Sequence, residues 1–226
     1  ATYAIAKKAA KSPLINEQPE RTLEGETFIT ASAGNHGMSV AAGARVFGAN
    51  SVVYLSETVP KEFAGKLREK GAKVIIEGKD YEASMQAAAA RAKQEGWILL
   101  SDSTWEGYSA GYDVMEGYLM MPEEVLVQMT TSPTHIFLQA GVGGLAAAVT
   151  AFVRSKWGSS TKIIRVETSE APAIMESIKA GKPVYAEGKV SIMCRLDCKE
   201  PSHLAVYCLA KEADFFMTLS DAEVLE

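Results

Sequence analysis

Apolar residues in this chain follow two alternating rhythms. Helical spacing, with apolar positions three and four apart, runs over 3–10, 38–47, 61–70, 81–94, 112–129, 145–155 and 171–180. Short apolar runs lie between these segments, at 28–29, 51–55, 74–76, 98–100, 135–138 and 163–166. Strands that alternate with helices in this way form βαβ units, and such units build a parallel sheet. The pattern therefore predicts an α/β protein. Gly48, Gly71 and Gly96 fall where helix C-caps are expected, each just before the next strand. The stretch 12–26 is polar and contains proline, so it reads as a surface loop. No repeat or low-complexity tract interrupts the pattern.

Two of the strand-to-helix turns carry candidate chemistry. The first is Thr30-Ala31-Ser32-Ala33-Gly34-Asn35-His36-Gly37-Met38, which follows Phe28-Ile29 and opens into an alanine-rich helical segment. A helix start leaves its first backbone N–H groups unpaired and backed by the positive end of the dipole, so a carboxylate or phosphate belongs there. Gly34 and Gly37 let the backbone approach a ligand, and Asn35 offers a donor and an acceptor beside it. The alternative is an ordinary β-α turn with a polar end. The second turn is Gly141-Val142-Gly143-Gly144, between the apolar run 135–140 and the helical segment that begins at Leu145. Its spacing matches neither the dinucleotide fingerprint nor a P-loop with its lysine. Successive backbone amides around so bare a turn make a nest suited to one phosphate ester. Two such turns suggest one cofactor phosphate and one substrate carboxylate.

Composition narrows the function classes. A hydrophobic content of 47% and a charged content of 23% are those of an ordinary globular protein. The net charge of −5 argues against nucleic acid or an anionic membrane surface as partner. No apolar run reaches the length of a membrane span, and no secretion signal is recognisable. Three cysteines are too few for a disulfide framework and fit a reducing cytoplasm. Cys194, Cys198, His203 and Cys208 lie close together in sequence, but their spacing is not that of a zinc site. The cysteines read as buried thiols beside a helix over 204–209, and no metal is expected. His36 sits at a helix start, where its ring either packs or serves as a base. Met115, Met120, Met121 and Met129 read as core or interface filler. The segment 61–70 is charged on one face and reads as a solvated helix.

The strings Ser32-Ala33-Gly34-Asn35-His36-Gly37 and Gly141-Val142-Gly143-Gly144 resemble those of fold type II pyridoxal-phosphate enzymes, the tryptophan synthase β-subunit group. Trp105-Glu106-Gly107-Tyr108 and Gln139-Ala140-Gly141-Val142-Gly143 sharpen the resemblance to diaminopropionate ammonia-lyase, which extends over nearly the whole chain and includes Val166-Glu167. The resemblance implies a parallel-sheet, three-layer αβα fold with two domains. A small domain, 38–124, would be inserted in a large cofactor domain made of 1–37 and 125–226, with the first turn at the junction. It also implies pyridoxal 5′-phosphate as cofactor, a small amino acid as substrate and a homodimer. Asn35 would bond the ring 3′-oxygen. The amides of Gly141, Val142, Gly143 and Gly144 would hold the phosphate. Ser32, Ala33, Gly34 and His36 would hold the substrate carboxylate. Asp102 would lie near the substrate's amino group and is the catalytic carboxylate candidate. The implied reaction is α,β-elimination of 2,3-diaminopropionate to pyruvate and ammonia.

Two departures from the family pattern follow. The family has an aspartate where this chain has Ala33, and alanine cannot act as a base toward a D-substrate. The Schiff-base lysine of the family lies upstream of the segment that matches Ala1-Thr2-Tyr3-Ala4. Lys7 and Lys8 are poor substitutes, so the chain is expected to be a fragment whose large domain is incomplete and which is inactive alone. A serine/threonine dehydratase-like lyase and a non-catalytic binding remnant are the alternative readings.

Overall fold

The computed structural model describes residues 1–226. It divides into two compact units, Ala1–Ser101 and Asp102–Glu226.

The first unit is built around a parallel sheet in the order β3-β2-β1-β4, from β1 (Thr27–Ala31), β2 (Asn50–Leu55), β3 (Lys73–Ile76) and β4 (Ile98–Leu99). Its helices are α1 (Thr2–Ala9), α2 (Asn35–Val46), α3 (Lys61–Glu69) and α4 (Tyr81–Glu95). Neighbouring residues of β2 point to opposite faces, which explains its unbroken apolar run. Val52 and Tyr54 pack with Ile29 and Ala31 against Ala88 and Ala92 of α4. Val53 and Leu55 pack on the other side against Ala41 of α2 and Ala64 and Leu67 of α3. This unit is therefore a helix–sheet–helix sandwich, as the resemblance implied. Gly48, Gly71 and Gly96 lie just past α2, α3 and α4, as their spacing predicted.

The second unit holds a parallel sheet in the order β5-β6-β7, from β5 (His135–Gln139), β6 (Lys162–Thr168) and β7 (Phe215–Leu219). Its helices are α5 (Gly111–Tyr118), α6 (Met120–Gln128), α7 (Gly144–Trp157), α8 (Ala173–Ala180), α9 (His203–Glu212) and α10 (Asp221–Leu225). The segment 112–129, expected as one helix, is two helices meeting at Leu119. Pro122 has no N–H to continue the first helix and fits the first turn of a new one. One face of the sheet is closed: Leu138 and Ile163 pack with Ala147 and Val153 of α7, Ile174 of α8 and Leu209 of α9. The opposite face carries Phe137 and Phe215, which are 64% and 55% exposed.

This division differs from the expected insertion of 38–124 between 1–37 and 125–226. β1 lies within 1–37 yet pairs with β2 and β4, so it belongs to the first sheet. Helices α5 and α6 contact α7, which places them in the second unit. Backbone ladders and helix packing set the boundary at Ser101 and Asp102.

Candidate active site

Each unit presents a glycine turn at the C-terminal edge of its own sheet. In the first unit β1 ends at Ala31, and the Ser32 N–H donates to the Tyr54 carbonyl at 3.2 Å. Ser32 Oγ accepts from the Gly34 N–H at 3.2 Å, which folds the turn and leaves the serine O–H as a donor. Gly34 is the N-cap of α2 and has no side chain to close the helix end. Asn35, the first helical residue, is exposed. Gly37 packs backbone against backbone: a Cβ there would lie 2.7 Å from the Ser32 carbonyl oxygen. Only glycine lets the helix approach the turn so closely. The His36 ring is buried, and its Nε2 meets the Leu100 carbonyl oxygen at 2.8 Å. A carbonyl only accepts, so Nε2 carries the proton and the ring braces α2 against the end of β4. Any contact from His36 to a carboxylate is thus through its backbone N–H. The Ala33 methyl packs on the apolar cluster of Ala41, Val53 and Leu55.

In the second unit Gly141, Val142, Gly143 and Gly144 join β5 to α7. Their N–H groups donate to no carbonyl of the chain, while the Val142 carbonyl accepts from the Ser202 N–H at 2.9 Å. Gly143 is the N-cap of α7 with φ +96°, a conformation that disfavours side chains. The back of the turn is tightly packed. A Cβ on Gly143 would lie 2.4 Å from Ile174 Cδ1 and 3.0 Å from Ala205 Cβ, and one on Gly141 would lie 3.0 Å from Cys198 Sγ. Unspent amides, a helix N-terminus and a bare, rigidly backed turn fit a phosphate ester. The positive φ at 143, with Ala205 Cβ close behind it, also favours glycine, so a bulky residue there would disturb the fold as well as any ligand.

The chain brings Asp102 to this second turn. The Asp102 carbonyl oxygen lies 3.2 Å from where a Cβ of Gly144 would be. Burial first, and the Asp102 carboxylate second, push the Tyr118 phenol above its ordinary range, so Tyr118 stays protonated at neutral pH.

Two supports of the turn have no signal in local sequence. Thr104 and Ser202 form one: the Thr104 N–H donates to Ser202 Oγ at 3.0 Å, the two hydroxyls meet at 2.9 Å, and Thr104 Oγ1 accepts from the Leu204 N–H at 2.9 Å. Thr104 thereby caps α9 across 100 residues of sequence. The other is Glu167 on β6, which accepts from the N–H groups of Ile174 and Met175 at 2.8 and 3.0 Å. The N-cap residue of α8 is Pro172, which has no side-chain acceptor, so the strand supplies the cap that the helix lacks. The cysteines go to separate places: Cys198 lies against Gly141, and Cys208 Sγ meets the Ala147 carbonyl at 3.6 Å. No three His, Cys, Asp or Glu side chains gather at metal-binding range, and no helix is long and apolar enough to cross a membrane.

The family profile described as "Pyridoxal-phosphate dependent enzyme" matches the chain over residues 1–226. The chain belongs to this family. Among curated members, the diaminopropionate ammonia-lyase of Escherichia coli (strain K12) is 32% identical over 205 residues, which are 88% of this chain and 52% of that protein. The L-threonine ammonia-lyase of Thermotoga maritima is 26% identical over 198 residues, which are 88% of this chain and 47% of that protein. A crystal structure of the E. coli diaminopropionate ammonia lyase in complex with D-serine matches with a TM-score of 0.89 at 30% identity, covering 98% of this chain and 58% of that one. The chain thus spans about half the length of the curated relatives it matches. The family's cofactor, pyridoxal phosphate, carries a phosphate ester of the kind that a turn such as 141–144 suits.

Proposed function

We propose that the full-length protein is a pyridoxal-phosphate-dependent ammonia-lyase that converts 2,3-diaminopropionate and water to pyruvate and two molecules of ammonia. The observation that carries this reading is the turn at 141–144, with its unspent amides at the start of α7, in a chain 32% identical to a diaminopropionate ammonia-lyase. The amides of Gly141, Val142, Gly143 and Gly144 hold the cofactor phosphate. Asn35 bonds the ring 3′-oxygen, and the N–H groups of the turn from Ser32 to His36, with the Ser32 O–H, hold the substrate carboxylate. Bound pyridoxal phosphate supplies an electron sink for the pair left when the Cα proton departs. Asp102 faces the substrate's amino group and holds its charge. The protonated Tyr118 beside Asp102 keeps that carboxylate from facing a second negative charge. The partner is a small amino acid, and the protein works as a cytoplasmic homodimer.

A dehydratase acting on serine or threonine is the second reading, favoured by Ala33 and by the similarity to L-threonine ammonia-lyase. Product release from diaminopropionate, serine and threonine, measured on the full-length protein, separates the two. The primary reading expects kcat/KM to be highest for diaminopropionate. Faster release of 2-oxobutyrate from threonine, or of pyruvate from serine, would overturn it.

A further inference from the structure

We propose that Glu167, held by Arg165, is a positioning residue for the phosphate turn; the inference rests on the phosphate reading above. Residues 165 and 167 lie two apart on β6, so their side chains share a face. Arg165 and Glu167 are both fully buried and form an ion pair. The Arg165 guanidinium makes no hydrogen bond and is otherwise faced by the Phe216 ring, 5.6 Å from its centroid. Burial pulls its pKa down to about 9, so it remains a cation at neutral pH. A buried ion pair whose cation has no hydrogen bond of its own is a weak source of stability, which invites a positional role.

The Glu167 carboxylate spends both oxygens on α8. Its bonds to the Ile174 and Met175 N–H groups fix the first turn of that helix, which Pro172 cannot cap. Ile174 is fully buried, and its Cδ1 fills the space behind Gly143, 2.4 Å from where a Cβ would stand. One chain of contacts therefore runs from Arg165 to Glu167, to the start of α8, to Ile174, and to the residue whose positive φ turns the loop. Moving α8 by about a few tenths of an ångström would release the wall that backs the loop and keeps its amides in direction. Preorganised donors lose their advantage when their direction relaxes.

The test uses the full-length protein and measures equilibrium binding of pyridoxal phosphate, pyridoxal and inorganic phosphate. A role confined to stability would shift the thermal midpoint and leave the preference for phosphate-bearing ligands unchanged. Glu167→Gln keeps the size but removes one acceptor and the counter-charge. It should lower the preference for pyridoxal phosphate over pyridoxal by about tenfold, the factor equal to 1.4 kcal/mol. Inorganic phosphate should weaken in parallel. Ile174→Val removes only Cδ1 and leaves the buried charges intact. It should lower the same preference by about threefold, or about 0.65 kcal/mol, and it decides the matter alone if Glu167→Gln does not fold. Wild-type preference in either folded variant would overturn the positioning role. A wild-type protein that binds pyridoxal as tightly as pyridoxal phosphate would instead overturn the phosphate reading itself.

Discussion

At the scale of single residues, Ala33 gives the turn at 32–37 a methyl group and no base. Protons on opposite faces of Cα need bases on opposite sides, and an alanine supplies none. General-base loss costs about 10²–10⁴ in rate, so the full-length protein should turn over L-2,3-diaminopropionate at least about 10²-fold faster than the D-isomer. Ala33→Asp should narrow that gap. The structure adds a cost: the methyl packs on Ala41, Val53 and Leu55, so a carboxylate there meets an apolar wall and the variant should melt earlier. Pyruvate release from both isomers, with the thermal midpoint measured alongside, checks both expectations. Equal turnover of the isomers by the unmodified protein would mean that another group, with Asp102 the first candidate, serves the second face.

Among the elements, the joint between α7, β6 and β7 is tied by Asp214. Its Oδ2 accepts from the Ile163 N–H at 2.8 Å and from Arg154 at 2.5 Å, and its Oδ1 lies 3.2 Å from the Lys162 ammonium. The Ile163 N–H first, then Arg154 and Lys162, hold the carboxyl down from 3.8 to about 2 against the opposing effect of burial. A depressed carboxyl stabilises the fold above its unfolded pKa and loses that contribution as pH falls through the folded one. The Asp214 contribution should thus be complete above pH ~4 and gone near pH ~2. Asp214→Asn should lower stability at neutral pH by about 1–2 kcal/mol, and this difference should vanish at the acid end. Thermal midpoints of both proteins across that range provide the measurement; a constant offset down to the lowest pH would show that the amide change acts through packing instead.

For the whole molecule, the open face of the second sheet is the dominant feature. Parallel sheets are normally covered on both faces. Phe137 and Phe215 flank Ile164 in register on the uncovered side, and the chain spans about half the length of its curated relatives. Residues 1–226 expressed alone should therefore self-associate and bind a hydrophobic dye. Replacing Phe137 and Phe215 with threonine, which suits an exposed strand, should reduce both effects. Light scattering and dye fluorescence at matched concentrations give the comparison, and a monodisperse wild-type segment without dye binding would contradict it.

Local rhythm was enough to read most of the architecture. Apolar runs marked β1 to β6, helical spacing marked α1 to α4, α7 and α8, and the two glycine turns stood out because a strand, a bare turn and a helix start are contiguous in sequence. β7 was not singled out, although Phe215-Phe216-Met217-Thr218-Leu219 is an apolar run of the same kind. Other features depend on contacts between distant residues. Glu167 caps α8 only because β6 ends beside it, and Thr104 caps α9 only because the fold joins positions separated by 100 residues. The boundary at Ser101 and Asp102 is likewise a property of which strands share a ladder. Spacing along the chain dictates which elements form and where a turn is bare. Which side chain backs that turn, caps its neighbours and holds a buried charge depends on through-space packing, which only the tertiary structure decides.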